Sequence, residues 1–500
     1  MALPTIVLTI DGIVINNNQV HGLITISRRE NEASTMHITL ITPTGIQDID
    51  SWAGKTVLLD VGGVRAFTGV VDKPEIDVIY KKITLICNDK RREKLNTELA
   101  GTIGTIGFYS PAIFDDAENV IDELDQRLKT IPSAADIKPD GVYAITDMNP
   151  KPVPDFTLLD ADIYRRQPSV SPTSRARLTN QVDLSFKYRY TRLRHRERGF
   201  KIEDLSFCDI LDLGPLGSFH LKTTFQNYAS MMNWDVNESS VTWEEMPPSG
   251  NTSPPCTVGL YYIHDDRFAT SMFYDAAKRF GQTITEDFTL TVTAPQSIAQ
   301  YGLINWAQDN GYSVEHDTGE WETDNGYQAP TGGTDDPNDY YIDQNGLISD
   351  FDDAVLTALN IANTKIITSH RDTQVNFETD LRVDFNLTHT IKLSTTPISA
   401  EGKITAINHI IDIGNRKGNT TTEISLSTAQ GSVTPEPITV PARPLTPVIA
   451  DAFIEPEIML ITDGNVVTPD IDDTSRNEQI APQSVTYNIE IQNDNFEVTF

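Results

Sequence analysis

The 500-residue sequence predicts a mainly β, α+β chain: two similar small β-barrels, inserted α+β material and an extended C-terminal arm. Three observations predict it. Short alternating apolar segments, with turn residues between them, fill the first 112 residues. One hairpin grammar recurs, a glycine on the outgoing strand and an alternating return strand: Gly22 to Ile38-Thr39-Leu40, Gly69 to Ile83-Thr84-Leu85, and Gly402 to Ile424-Ser425-Leu426. Helical spacing of any length is confined to 115–131, 265–280 and 352–369.

The first barrel is expected over 1–112. Its strands are Thr5–Ile10, Gly22–Ser27, Met36–Ile41, Thr56–Val61, Arg65–Val71 and Lys82–Asn88, parted by turns such as Arg29-Glu30-Asn31 and Gly62-Gly63. Ile83, Leu85 and Cys87 share one face of the last strand. Pro74 has no N–H to give a ladder, so it belongs in the Lys73-Pro74 turn or on an edge. Closure of the barrel would remove exposed edges.

Residues 113–177 read as a helix and a Pro-rich connecting segment. The helix, Asp115–Ile131, aligns Ala117, Val120, Ile121, Leu124 and Leu128, ends on Arg127 and Lys129, and is stopped by Pro132. Pro132–Pro172 reads as loop. Residues 178–232 are expected to supply part of the second barrel, where Val182, Leu184, Phe186, Tyr188 and Tyr190 alternate cleanly. Beyond them Arg192, Arg194, Arg196 and Arg198 form a basic island, read as a salt-bridge face in preference to a contact with an acidic partner or phosphate.

Residues 233–379 read as an inserted α+β domain. Phe268, Met272, Ala276 and Phe280 predict a helix over Asp265–Phe280; Phe288–Val292 reads as a strand, followed by a Ser297-capped short helix ending near Gly302. An acidic, aromatic loop follows at 309–353. The last helix of the insert, Asp352–Ser369, turns Val355, Leu356, Leu359, Ala362 and Ile366 inward. Residues 380–430 complete the second barrel, its closing hairpin turning at Gly414–Gly418. The arm, 431–500, opens with prolines at 435, 437, 441, 444 and 447 and ends in alternating strands. Those strands need a neighbour to pair with, either a partner subunit or the chain's own barrel.

The net charge of −32 excludes nucleic-acid binding through the bulk surface, because phosphate and carboxylate repel. Cys87, Cys208 and Cys256 form no CxxC pair, so neither a disulfide framework nor a zinc site is expected. The first residues lack a secretory pattern and no apolar run reaches the roughly twenty residues of a membrane span. Gly54-Lys55-Thr56 lacks the upstream glycine of a P-loop, and GxSxG, HExxH and GxGxxG are absent. His37 and His409 lie in strand patterns and read as packing or hydrogen-bonding residues. In the acidic loop Asp343 and Asn345 suit a calcium loop, but Leu347 stands where a further ligand belongs. The expectation is no catalytic residue, no cofactor, no metal and no enzyme activity.

Several of these segments carry a resemblance. Phe67-Thr68-Gly69-Val70-Val71 with its return strand and Lys94-Leu95, the run Val182 to Arg192, and the passage Ile284 to Gly302 resemble parts of contractile phage tail baseplate hubs. The hairpin carrying Gly402, Ile404, Ile407, His409, Ile411, Asp412, Thr422, Ile424 and Leu426 resembles their final barrel hairpin most closely. These are the late control protein D-like tail hubs, related to type VI secretion spike hubs. The resemblance implies two tube-like barrels per subunit and a homotrimer that offers six barrels to a sixfold tail tube or tube-initiator protein. It implies a separate central spike protein below, and baseplate wedge or tape-measure proteins as further neighbours. DNA would pass through the ring without specific binding. The location implied is the virion tail baseplate, assembled in the host bacterial cytoplasm. The competing readings are a carbohydrate-binding or surface-adhesion β-protein using Trp306–Tyr341, and, third, a cell-wall lytic enzyme using a carboxylate pair such as Glu244-Glu245.

Overall fold

The computed structural model describes residues 5–41, 50–164, 168–202, 235–245, 267–306, 311–316, 332–333, 339–344, 348–413 and 420–428, and, toward the C-terminus, 430–431, 461–462, 465–466, 478–492 and 496–498. The turn at Gly414–Gly418, the prolines of the arm and most of the acidic loop lie outside the described residues.

Strand alternation sets the first region. β1 (Ile6–Ile10), β2 (Ile13–Ile15), β3 (Val20–Arg29), β4 (Thr35–Ile41), β5 (Thr56–Val61), β6 (Val64–Asp77) and β7 (Lys82–Asn88) follow in order. Leu8, Ile24, Ile26, Met36, Ile38, Leu59, Phe67 and Leu85 close one core. β6 runs through the expected Lys73-Pro74 turn and pairs Pro74 with Leu85, so the chain reverses at Val78–Lys81 instead. Pro74 is tolerated because that half of β6 is bonded on one side only among the described residues.

α1 (Arg91–Glu98) and α2 (Val120–Leu128) pack on β8 (Ser133–Ile137) and β9 (Tyr143–Asp147). Asn119 caps α2, its side chain accepting from the amides of Ile121 and Asp122. The passage expected as loop thus holds β8 and β9, and also β10 (Phe156–Leu159) and β11 (Ser169–Ser171). Their strands are short, and they pair with residues far away in sequence, which periodicity does not reveal.

β12 (Gln181–Ile202), β13 (Asp235–Glu245) and β14 (Arg267–Thr293), with β15 (Gly311–His316), β16 (Gly332–Gly333) and β17 (Asp339–Gln344), build six strands of a separate seven-stranded sheet. The helix expected at 265–280 is therefore a strand, antiparallel to β12 along the whole of β12. Residues four apart share a face in a helix and also in a strand, so the Phe268–Phe280 spacing suits both, and the long pairing decides. β12 also does not join the second small β-unit as expected. α3 (Pro295–Tyr301) starts on Ala294 without a side-chain cap; Ser297 lies inside it, where His370 Nε2 meets its Oγ at 2.7 Å. α4 (Ile348–His370) covers the sheet, with Val355, Leu359, Ala362 and Ile366 in the core and Phe351 packed edge-on against Phe186 and tilted against Tyr188 and Phe288.

β18 (Gln374–Asp380), β19 (Thr390–Ser394), β20 (Ile398–Asp412) and β21 (Thr421–Ser427) return to the first sheet. Two short pieces, β22 (Gln430–Gly431) and β23 (Ile461–Thr462), precede β24 (Asn465–Val466), β25 (Glu478–Asn488), β26 (Ile491–Gln492) and β27 (Phe496–Val498). β25 adds in parallel to β14, and β27 pairs with Ile398–Ala400 of β20. The terminal strands thus fold back on their own chain.

The fold is mainly β with α-helices, as expected, but the small units do not close among the described residues. Instead β3 bonds β20, and one sheet runs β11-β18-β21-β20-β3-β4-β7-β6-β5-β1-β2, with β10, β19 and β27 off this path.

Candidate assembly interface

The two halves of that sheet repeat one hydrogen-bonded register. In the first, Val70 and Val71 face Asn88 and Cys87, a bulge follows, and Lys73 and Pro74 face Ile86 and Leu85. In the second, Lys403 and Ile404 face Ser427 and Leu426, a bulge follows, and Ala406 and Ile407 face Ser425 and Ile424. Before the bulge, Gly69 faces Val57 and Gly402 faces Ile391. The amide of Val71 bonds Lys55 O, and that of Ile404 bonds His389 O. β4 faces β7 from Thr35↔Asn88 onward, as β18 faces β21 from Gln374↔Ser427. Thr25, Ile26 and Ser27 of β3 sit on β4 as Ser169, Val170 and Ser171 of β11 sit on β18. Both glycines are required by the same crossing: a Cβ at Gly69 would lie 2.1 Å from Asn88 O, and one at Gly402 would lie 2.2 Å from Ser427 O. The repeat seen in the sequence is therefore present, slipped by two residues: Leu85 and Cys87, rather than Ile83 and Leu85, occupy the places of Ile424 and Leu426.

The halves meet where the second hairpin overruns its own unit. Residues Ala406–Asp412 of β20 pair antiparallel with Leu23–Arg29 of β3, and Ile411 enters the core of the first half. A buried ionic cluster locks this seam. Glu30 accepts from Arg371 at 3.0 and 3.2 Å and from Lys403 Nζ at 3.0 Å, and Lys403 also donates to Thr146 Oγ1 at 3.0 Å. The Lys403 side chain is 2% exposed. Beside it, Asp136 Oδ1 accepts from the Asn31 amide at 2.8 Å and Asn31 Oδ1 from the Ala135 amide at 2.9 Å. Segments from four distant parts of the sequence are thereby fixed on one point, and each charge depends on the others.

Burial dominates the protonation of this region. It pushes the Asp136 carboxyl up to about 6 and lowers Lys403, against the opposing pull of Glu30. Arg28, wholly buried, donates to Ala66 O and is lowered to about 10 by burial, with Asp89 opposing. His409 shares a hydrogen bond with Thr422 Oγ1 at 3.0 Å; burial first, and the Arg28 charge second, depress it to about 3, so the ring is neutral. His409 is thus the packed, hydrogen-bonded residue the sequence suggested, while His37 is exposed. The cluster itself was not legible, since Glu30, Asp136, Arg371 and Lys403 share no motif.

Other singled-out residues play no part in the seam. On β12, the register places Arg192 opposite Asp343 and Arg196 opposite Asp339. Trp306 and Tyr312 line a cleft of ≈ 710 Å³ with residues of α2 and α4. Lys365 Nζ already lies 5.6 Å from the centre of the Trp306 ring, so that aromatic face is occupied by a cation. Among the described residues no cluster of His, Cys, Asp and Glu could hold a metal ion, and no helix is long and apolar enough to cross a membrane.

The fold and seam define a class: a duplicated β-protein whose halves are joined edge to edge. No family profile and no curated protein matches this chain. Among solved structures it is similar to a tail protein from Neisseria meningitidis MC58, at 9% identity and a TM-score of 0.38, covering 85% of this chain and 96% of that one. It is similar to the 43 kDa tail protein of prophage MuSo2 from Shewanella oneidensis, at 12% identity and a TM-score of 0.38, covering 85% and 98%. It is also similar to a chain of the Francisella PdpA-VgrG complex, at 7% identity and a TM-score of 0.30, covering 84% and 57%.

Proposed function

We propose that this chain is a structural hub in the baseplate of a contractile phage-type tail, acting as a symmetry adaptor. Three copies, each with two like β-units, present six units to a sixfold tube or tube-initiator protein while keeping threefold symmetry for a central spike. The observation that carries this reading is the duplicated register of the hairpin, with its glycine crossing and its bulge, and of the two strands beside it, with the two copies already joined edge to edge. A chain that carries a unit twice can match a ring of twice its own symmetry, and a closed ring satisfies every repeated edge. The resemblance of the Gly402–Leu426 hairpin to hub barrels points the same way. The virion is the implied location, with assembly in the host bacterial cytoplasm, and the role is mechanical, not enzymatic.

The solvent face of the joined sheet suits a conduit. It is rich in Ser, Thr, Asn and Gln, and its charged members include Glu75, Asp77, Glu378, Asp380 and Glu423 against Arg29, Lys73 and Lys82, beside the Asp60–Arg65 and Lys392–Glu401 pairs. If this face lines the channel, passing DNA meets hydroxyls, amides and an excess of carboxylate, and does not adhere. The test is the mass and projection of the purified chain. Light scattering is expected to give three copies, and negative-stain images a ring of six lobes. A species that stays monomeric or dimeric at high concentration overturns the reading.

A further inference from the structure

We propose that a second copy of this chain docks on the free edge of β6, burying the Val78–Tyr80 tip against that copy's β11 edge with one pair of backbone hydrogen bonds across the contact. This deepens the ring reading and rests on it.

The internal seam is the template. Its outermost bonds, Glu30 N–H to Thr405 O and Ile413 N–H to Gly22 O, fix the phase of the ladder. Odd residues of β20 from Thr405 to Ile413 therefore bond toward β3, opposite even residues of β3. In the shared register Pro74 and Ile76 take the places of Ile407 and His409; that register ends at Asp77, and the Val78–Lys81 turn stands where β20 runs on through Ile411 to Ile413. Pro168, Val170 and Pro172 take those of Ile24, Ile26 and Arg28. Both edges are unpaired among the described residues, and they are the two sides of one contact.

Exposure supports the match. Ile411 is fully buried in the neighbouring unit and Ile413 packs against that core, whereas Val78 is 81% and Tyr80 69% exposed. Apolar side chains of the turn thus stand in water beside the place where the other hairpin runs on into a neighbour. Charge does not oppose the pairing, since Lys73, Glu75 and Asp77 would face Thr173, Ser171 and Ser169 of the partner copy.

One feature differs from the template. Where Ile407 bonds Arg28, Pro74 would face Pro172; beyond Asp77 the chain turns out of the ladder, and on the other edge Pro168 takes the place of Ile24. Prolines cannot donate, so only Ile76 and Val170 keep both amides at this contact. The contact between copies is therefore carried by the apolar tip, and the prolines block open-ended strand addition.

The full-length chain tests this. With Ile76→Cys and Val170→Cys combined, oxidation is expected to link copies, because directly opposed residues lie within disulfide reach. Products should end at three chains on a non-reducing gel, and neither single variant should give them. Val78→Asp with Tyr80→Asp should weaken assembly by at least about tenfold in light scattering. The melting temperature of its monomer should stay unchanged, because both positions are exposed there. A wild-type trimer that neither cross-links at 76/170 nor responds to the Asp pair overturns this contact and leaves the ring reading standing. A wild-type monomer overturns both, and cross-links running beyond three chains overturn the proline block.

Discussion

The two halves of the long sheet share a register but not a role, and the residues at equivalent places show why. Val70 in the first half corresponds to Lys403 in the second, and Ile76 to His409. Ser174, exposed, corresponds to Glu30, which is nearly buried. The first half thus offers a plain apolar hairpin to a neighbour. The second converts the same hairpin into a permanent seam, adding buried charge wherever the seam crosses other elements. The connections differ as well. β11 and β18 are separated by six strands of the seven-stranded sheet and by α3 and α4, while their counterparts β3 and β4 are joined by a short turn. The flanking strands also diverge, β1 being antiparallel to β5 but β10 parallel to β19. The shared core of the register, the glycine crossing and the bulge, is what geometry demands; the rest is free to specialise.

Acid should separate the halves first. His409 is lowered to about 3 from an ordinary value of 6.5, so its neutral form is favoured by folding. Its contribution is complete above pH 6.5 and is lost as pH falls toward 3, about 5 kcal/mol over the window. Asp136, raised to about 6 from 3.8, acts in the opposite sense: its burden on the fold is relieved as pH falls from 6 toward 4, by about 3 kcal/mol. Urea unfolding across this range should show a flatter acid limb for His409→Asn and a steeper one for Asp136→Asn. Identical pH slopes in all three proteins would contradict the burial argument.

Glu30 is the next test. Glu30→Ala leaves Arg371 and Lys403 buried without their counter-charge and should cost about 3–5 kcal/mol. Ser174→Ala, at the equivalent place in the other half, should cost nothing measurable. Comparable losses in calorimetry would mean that the cluster does not distinguish the seam from its counterpart.

Much of the first region was legible because its strands alternate cleanly on one buried face. Thr56–Val61 and Lys82–Asn88 match the structure end to end. The last helix was legible too: Val355, Leu359, Ala362 and Ile366 are buried as expected, while Leu356 is half-buried. The 265–280 segment misled because its apolar residues recur at even spacing, which serves both periods. β10 and β11 were hidden by their length, and the assignment of β12 to the second unit failed because alternation states that a strand is half-buried, not which sheet buries it. The seam depends on which edges meet, and the ionic cluster draws one residue from each of several distant segments. Neither leaves a local pattern, although the glycine pair did.

Those glycines give the smallest expected effect, and the one that probes the register itself. At either position an alanine Cβ would press on the carbonyl of the facing strand's last residue, so the backbone must move. Gly69→Ala and Gly402→Ala should each cost about 1–3 kcal/mol in urea unfolding. Their consequences should then diverge. Gly402 precedes Lys403, so displacing it also loosens the Glu30 cluster, and Gly402→Ala should blunt any further loss from Glu30→Ala in a double variant. Gly69 has no such neighbour, and Gly69→Ala should add to Glu30→Ala in full. Additivity in both pairs would show that the glycine crossing and the ionic seam are independent, and that the second hairpin holds its place without the help of its charges.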